Sequence, residues 1–489
     1  MSEINISDET QAVIDGLIGQ QKEAYMELIN FMENGGHMFT FEGYAGVGKT
    51  YCINKFVNQM IETHGTNICI TAPTHKALRV IAKMAGETEH LDFRTIHSLL
   101  GLRPVIDNRT GEQQFLKDHQ ATNAVSEFDL IIVDEASQID NLIFSYLMSE
   151  IDANGVRIIF IGDGKQLPPV NHSSSIPMSA DKREVMQIAY TQLTEIVRQK
   201  GTNPIIKLSK QIRNGCAEIE SDFNADGEGV LVINGSENHN QVLRDLFGSE
   251  NYKQDQDFCR MVAWRNVSVN AYNRKIRNLI YQEGVNNFVL SKKGSGIAKE
   301  QLIAEMVKEF PHFRDGGFKL PYIIVGDVVI VDKPIMDNEM GNTIVYNTNE
   351  ELIVNSFRIE YRMFYGTRYT CYIADVCEIT TNKHNTITIC HEESHAELEK
   401  EVGKLQKRAL DQKDFKKRPK LWKNYYNLKT KFAELKYAPC LTTYKAQGST
   451  YENVIIHYQD IIQNRNTTQM LQHLYVGVTR ASKRCFVFK

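Results

Sequence analysis

No stretch of the sequence is apolar for long enough to cross a bilayer, so no membrane span is expected. Nor is a secretory leader expected, because the opening MSEINISDETQ is polar and acidic. The nine cysteines include no CxxC pair, are odd in number and lie scattered. That excludes a disulfide framework and fits reduced thiols in a cytoplasmic compartment. Cationic excess is also absent, with 56 Lys and Arg against 60 Asp and Glu and a formal net charge of −4. A uniformly basic coat for nucleic acid is thereby excluded, though a local positive groove is not. What remains is the composition of a soluble globular protein, 42% hydrophobic and 24% charged. At 489 residues the chain exceeds one ordinary core, and about three or four domains are expected.

The most informative segment is GYAGVGKT, Gly43 to Thr50. Phe39 and Phe41 alternate upstream as in a strand, and Ile53, Phe56, Val57, Met60 and Ile61 recur downstream at helical spacing. A glycine-rich turn between strand and helix lets backbone N–H groups curl round a polyphosphate at the positive end of the helix dipole. Gly43, Ala45, Gly46, Val47, Gly48, Lys49, Thr50 and Tyr51 are the candidate nucleotide-binding residues. Lys49 would reach the β- and γ-phosphates, and the Thr50 hydroxyl would ligate Mg²⁺.

Two further segments extend the site. The apolar run Leu130–Val133 reads as a buried parallel strand and ends in Asp134-Glu135-Ala136-Ser137. Asp134 suits a Mg²⁺ ligand and Glu135 a base that polarises water. Val156–Ile161 repeats the pattern and leads into GDGKQLPPV, where Gln166 is placed to sense the γ-phosphate or the attacking water. The ligands expected from these residues are therefore a nucleoside triphosphate and Mg²⁺.

In order, GYAGVGKT, APTHKAL (72–78), TIHSLLG (95–101), DEAS, GDGKQLPPV, LTEIVRQ (193–199), TTYKAQGST (442–450) and LYVGVTRAS (474–482) resemble the superfamily 1 helicases. Within these they are similar to the RecD-like, 5′-to-3′ branch, superfamily 1B. The resemblance implies an α/β fold: two RecA-like P-loop NTPase core domains, a β-hairpin inserted in the first, and an SH3-like barrel with a helical projection inserted in the second. The boundaries expected are 1–200 for the first domain with its hairpin near 101–122, then 201–283 and 438–489 for the second, with 284–437 inserted. The implied activity is ATP-dependent unwinding of DNA by 5′-to-3′ translocation on single strands. Alternatives are a single-strand translocase or loader that displaces proteins, and an RNA helicase of the same superfamily.

Resemblance also assigns residues. Arg198 and Arg480 match the arginines that converge on the γ-phosphate, which makes the catalytic set Lys49, Glu135, Gln166, Arg198 and Arg480. Because Arg480 lies far along the chain from Lys49, a site shared by two lobes is expected. Gln21 matches a glutamine that reads an adenine edge, with Gln20 beside it leaving a second register open. Tyr44 and Val47 replace the family's usual Pro and Thr, with little consequence expected because the backbone makes the contact there. Pro73, Thr74 and His75 form one candidate platform for single-stranded DNA, Thr95 and His97 a second, and Thr442 and Lys445 a third. Tyr444 stands where a His is common.

Apolar stretches flanking Asn108–Glu112 read as a β-hairpin; the resemblance implies that the duplex-splitting pin lies here, with Phe115 either its wedge or its anchor. Short strands are expected at Ile323–Val325, Val328–Val331, Glu351–Phe357, Arg368–Asp375 and Thr386–Cys390. Cys371, Cys377, Cys390, His391 and His395 lack zinc-site spacing. The basic stretch Leu398–Lys436, with Trp422, Tyr425 and Tyr426, either holds a displaced strand or braces the barrel. The partners expected are single-stranded and forked DNA and a single-strand-binding or replication protein, with the chain acting as a monomer.

Overall fold

The computed structural model describes residues 8–73, 78, 82, 88–106, 113–117, 124–195, 203–292, 299–310, 312–314, 317–318, 320–337 and 343–489. By packing, it divides into two units. The first holds the segments through Pro104, Phe115–Val232 and Thr443–Lys489; the second holds Val105–Gln114 and Ile233–Thr442.

The first unit is built on a six-stranded sheet of β1 (Met38–Gly43), β2 (Ile68–Ala72), β3 (Leu91–Thr95), β4 (Leu130–Val133), β5 (Arg157–Gly162) and β6 (Ala189–Leu193). The order is β3-β2-β4-β5-β1-β6 and every pairing is parallel. A parallel sheet is covered on both faces, and accordingly β2 and β4 are buried at every residue. Helix α1 (Gln20–Glu33) and helix α2 (Lys49–His64) bury Tyr25, Leu28, Phe56 and Val57 beside Phe39 and Phe41 on one face of the sheet. The helix Asn141–Asn154 covers the other with Phe144, Leu147 and Ile151. This is the RecA-like core anticipated from the phosphate loop. Because β4, β5 and β1 are neighbours about 5 Å apart, the loops leaving their C-terminal ends lie side by side.

Also in this unit, strands Tyr451–His457 and Ala481–Phe488 pair in parallel, and Asp222–Phe223 pairs antiparallel with Gly229–Ile233. The helix Thr467–Thr479 packs on the helix Pro204–Arg213. Strands Leu102–Ile106 and Gln113–Lys117 form the expected hairpin, whose turn lies outside the described residues.

In the second unit, Cys259–Ala263 pairs in parallel with Cys440–Thr442. The helix Asn266–Ser291 continues unbroken past 284, so the boundary expected there falls inside one helix. Five antiparallel strands follow in the order His384–Cys390, Thr367–Glu378, Glu351–Phe364, Val328–Val331, Leu435–Tyr437. Ile323–Val325 is not a strand: Asp327 Oδ2 accepts the Ile324 N–H at 2.8 Å and turns the chain before Val328. Helices His395–Asp411 and Arg418–Lys429 pack Leu405, Trp422, Tyr425 and Leu428 against Tyr369, Cys371 and Ile373 of this sheet. The rings of Trp422 and Tyr425 are thus buried bracing for the sheet. Among the described residues no helix is long and apolar enough to cross a membrane, and no three His, Cys, Asp or Glu side chains gather as a metal site would require.

Candidate nucleotide site

The phosphate loop leaves β1 and enters α2 as its sequence dictates. Gly46 and Gly48 adopt φ of 81° and 84°, the left-handed region in which a side chain is strained. Gly48 has a second reason to be glycine, since a Cβ there would fall 2.5 Å from Gln21 Nε2. Gln21 is buried beneath the loop, donating to the Val47 carbonyl at 3.1 Å. Gln20 points elsewhere, its Oε1 accepting the N–H groups of Thr194 and Glu195 at 2.8 and 3.1 Å. The two glutamines therefore fasten the loop and the segment after β6.

Lys49 donates to the carbonyls of Gly43 and Tyr44 at 2.7 and 3.0 Å. Burial lowers its pKa, against the pull of Asp163, Glu135 and Asp134, and Arg480 lowers it further. Asp134 ends β4 with its N–H on the Thr71 carbonyl at 2.8 Å, and burial beside Glu135 pushes its carboxyl up to about 7. Glu135 has φ 51°, a left-handed conformation uncommon for a non-glycine residue, which marks the turn after β4 as held for a purpose. Thr50 stands in the first turn of α2, and Tyr51 is about half exposed.

From the β5 loop, Gln166 is buried, and its Oε1 has no hydrogen-bond partner among the described residues. Arg480, at the end of the helix Thr467–Thr479, is buried and donates to the Ser449 carbonyl at 2.9 Å and to Thr479 Oγ1 at 3.2 Å. Burial lowers its pKa while Glu135, Tyr475, Tyr451 and Asp163 raise it. Asp134, Glu135, Asp163 and Arg480 thus all lie within electrostatic reach of Lys49 inside a single packed unit. Arg198, Thr74 and His75 fall outside the described residues.

Sequence reasoning passed over four contributors. Asp163 Oδ1 receives Arg213 Nη1 at 2.6 Å, and its Oδ2 receives the Tyr475 hydroxyl at 2.7 Å. The Arg213 guanidinium lies 3.6 Å from the centre of the Tyr44 ring, so the substitution expected to have little consequence supplies a stacking surface. Glu42, just before the loop, accepts the Gly164 N–H at 3.1 Å and the Tyr190 hydroxyl at 3.0 Å. Asp163, Tyr475 and Glu42 sit within or next to the motifs and could have been found by asking what each buried polar side chain bonds. Arg213, closing an ordinary amphipathic helix, gave no signal.

The candidate DNA-contacting residues are spread over both units. Pro73 follows β2, half-buried. Thr95 caps a short helix by accepting the Ser98 N–H at 3.2 Å, and the His97 ring lies 4.7 Å from that of Phe115, which is 44% exposed. Lys445 belongs to the first unit and Thr442 to the second, both half-buried.

A phosphate loop with a half-buried acidic pair after β4, a buried glutamine after β5 and a buried arginine defines a P-loop ATPase. The family model described as "AAA domain" matches residues 16–233, and that of the "UvrD-like helicase C-terminal domain" matches 437–488. Along nearly its whole length the chain is similar to a superfamily 1B enzyme, the ATP-dependent DNA helicase Dda of Enterobacteria phage T4. The two are 27% identical over 480 residues, which is 95% of this chain and 98% of the relative. The ATP-dependent RecD2 DNA helicase of Deinococcus radiodurans is 28% identical over 244 residues, 50% of this chain and 29% of that protein. Among solved structures, the Pif1 helicase of Candida albicans aligns at 15% identity and TM-score 0.46 over 96% of this chain and 94% of that one.

Proposed function

We propose that this chain is an ATP-dependent DNA helicase that moves 5′ to 3′ along single-stranded DNA and separates the duplex ahead of it. The observation that carries the reading is the gathering of the Asp134–Glu135 pair and Arg480 around Lys49 within one packed unit. Similarity to Dda over 95% of the chain supports the class of work that this ATPase drives.

In the ATPase step Lys49 binds the β- and γ-phosphates while Glu135 orients and deprotonates the attacking water. Gln166, whose Oε1 has no other partner among the described residues, holds that water or the γ-phosphate. Arg480 neutralises charge as it develops, and Arg198 joins it. Thr50 and Asp134 would hold Mg²⁺: a hydroxyl and a carboxylate are the hard oxygen donors it takes, and a carboxyl pushed up by burial and by a neighbouring acid is one that a divalent cation would hold ionised. When bound, the ion would offset charge on the phosphates.

Pro73, Thr74, His75, His97, Thr442 and Lys445 contact the DNA strand, and Phe115 meets the first base pair. Single-stranded and forked DNA are the substrates.

The test is unwinding of duplexes carrying a 5′ tail, a 3′ tail or both, with and without ATP, with Lys49→Ala as control. Opening of the 5′-tailed duplex alone, lost in the variant, is the expected result. Opening of the 3′-tailed duplex alone would reverse the polarity. ATP hydrolysis stimulated by DNA without opening of either duplex would replace the helicase by a loader or protein-displacing translocase.

A further inference from the structure

Three polar side chains leave the helix Thr467–Thr479 for three different segments. The Tyr475 hydroxyl donates to Asp163 Oδ2 at 2.7 Å and accepts the Ala45 N–H of the phosphate loop at 3.4 Å. Gln472 donates to the Gln166 carbonyl at 3.1 Å. His473 Nδ1 pairs with Thr443 Oγ1 at 2.6 Å. Residues three apart share a helix face, so Gln472 and Tyr475 both address the phosphate side, while His473 is turned about 100° away. Arg213 closes the arrangement through its contact with the second Asp163 oxygen, at 2.6 Å, and its stack on Tyr44. Two consecutive loop residues, one by its ring and one by its N–H, are therefore tied to a single buried carboxylate.

We propose that Tyr475, Asp163 and Arg213 form a nucleotide-sensing latch, and that the helix Thr467–Thr479 passes the occupancy of the phosphate loop to Thr443 and the DNA-contacting segment around it. The inference rests on the helicase reading above and names positioning residues for it.

The physical basis is competition for one donor. A triphosphate cradled by the loop draws on its backbone N–H groups. At 3.4 Å the Ala45 bond to Tyr475 is long and is readily surrendered to a charged acceptor. Nucleotide binding and the Ala45–Tyr475 bond then exclude each other. That gives the two states of the helix a different affinity for nucleotide, which is what coupling between sites demands. His473 and Thr443 are both buried, so a displacement of the helix is felt at Thr443.

The experiment measures the affinity of fluorescein-labelled oligo(dT) by anisotropy, with and without a non-hydrolysable ATP analogue and Mg²⁺, in wild type, Tyr475→Phe and Arg213→Lys. In wild type the analogue should change the DNA affinity about five-fold or more. Tyr475→Phe, which keeps the ring and deletes the hydroxyl, should reduce that change to about two-fold or less, while binding of a fluorescent nucleotide tightens because Ala45 no longer has a competing partner. Arg213→Lys keeps the charge but not the planar stack and should show the same loss of coupling. A merely structural role would weaken both ligands and leave their ratio alone.

Variants that retain the wild-type ratio overturn the latch. Wild type that unwinds forked DNA yet shows no nucleotide effect on DNA affinity also overturns it and leaves the helicase reading standing. Wild type that neither binds oligo(dT) nor unwinds removes both.

Discussion

Gln447 donates its side-chain N–H to Ser137 Oγ at 3.1 Å, joining the TTYKAQGST segment to the DEAS turn 310 positions earlier in the chain. Both residues are buried, and the Gln447 Oε1 has no hydrogen-bond partner among the described residues. A residue next to a candidate DNA-contacting segment is thereby fixed to the turn that presents Glu135. Gln447→Leu keeps much of the volume and removes the bond. Couplings of this kind carry about 0.5–2 kcal/mol, so stimulation of ATP hydrolysis by DNA should fall about two- to thirty-fold. Steady-state hydrolysis at saturating and zero oligo(dT) measures it; an unchanged stimulation ratio would separate the two segments functionally.

His473 makes folding stability depend on pH. Burial pushes its pKa down to about 4 from an ordinary 6.5, because the charged ring is poorly solvated beside Thr443. A base with a depressed folded-state pKa binds fewer protons folded than unfolded in that interval. Its contribution is therefore complete above about pH 6.5 and is lost as pH falls through about 4. The interval corresponds to about 3 kcal/mol at most. Urea unfolding of wild type and His473→Gln across this range should show the variant losing less stability on acidification than wild type, and parallel curves would refute the assignment.

Much of this site could be read from residue order alone, and the reasons are local. Gly46 and Gly48 need left-handed backbone, Lys49 opens a helix, and Asp134 ends a strand buried at every position, so spacing and composition carry their positions directly. What the chain order hides is side-chain partnership over long separations. Arg213 and Asp163 are 50 positions apart, and Tyr475 lies 312 from Asp163; nothing in the local pattern around Arg213 announces either contact. Tyr44 was legible as a departure from the family's loop but not as a stacking surface, because its partner comes from another helix. After residue 323 four of the expected strands are present, but Ile323–Val325 is not one, and Ile335–Asp337, Thr343–Tyr346 and Leu435–Tyr437 were not foreseen. Glu351–Phe364 and Thr367–Glu378 continue well past their expected ends because Tyr365 and Gly366, at φ 50° and 81°, make a two-residue turn that holds them in register.

Arg260 is fully buried in the second unit, donating to the Ala438 carbonyl at 2.8 Å and to Glu351 Oε2 at 2.9 Å. It thereby fastens the returning chain to strand Cys259–Ala263. Removing one partner of a buried ion pair costs about 3–5 kcal/mol. Arg260→Leu should lose that much in denaturant unfolding. Arg260→Leu with Glu351→Leu should recover a large part of it, since both charges of the pair are then removed. A double variant no better than the single one would show that the Ala438 carbonyl, not Glu351, dominates.

Phe115 can be assigned to wedge or anchor by measuring work per ATP. Its ring is 44% exposed and packs 4.7 Å from His97, whose pKa burial lowers, so a neutral imidazole backs the phenyl ring. A base pair meeting the exposed face would exchange part of its stacking, about 1.4 kcal/mol per step, for contact with the ring. Phe115→Ala should then reduce base pairs opened per ATP several-fold, more than it reduces hydrolysis on single strands, and Phe115→Trp should restore the ratio. His97→Ala should produce a smaller loss of the same kind. In a double-mutant cycle the two should be non-additive, because the imidazole acts through the ring it supports. If Phe115 only anchors the hairpin, Phe115→Ala lowers the melting temperature, and the ratio of unwinding to hydrolysis stays at its wild-type value.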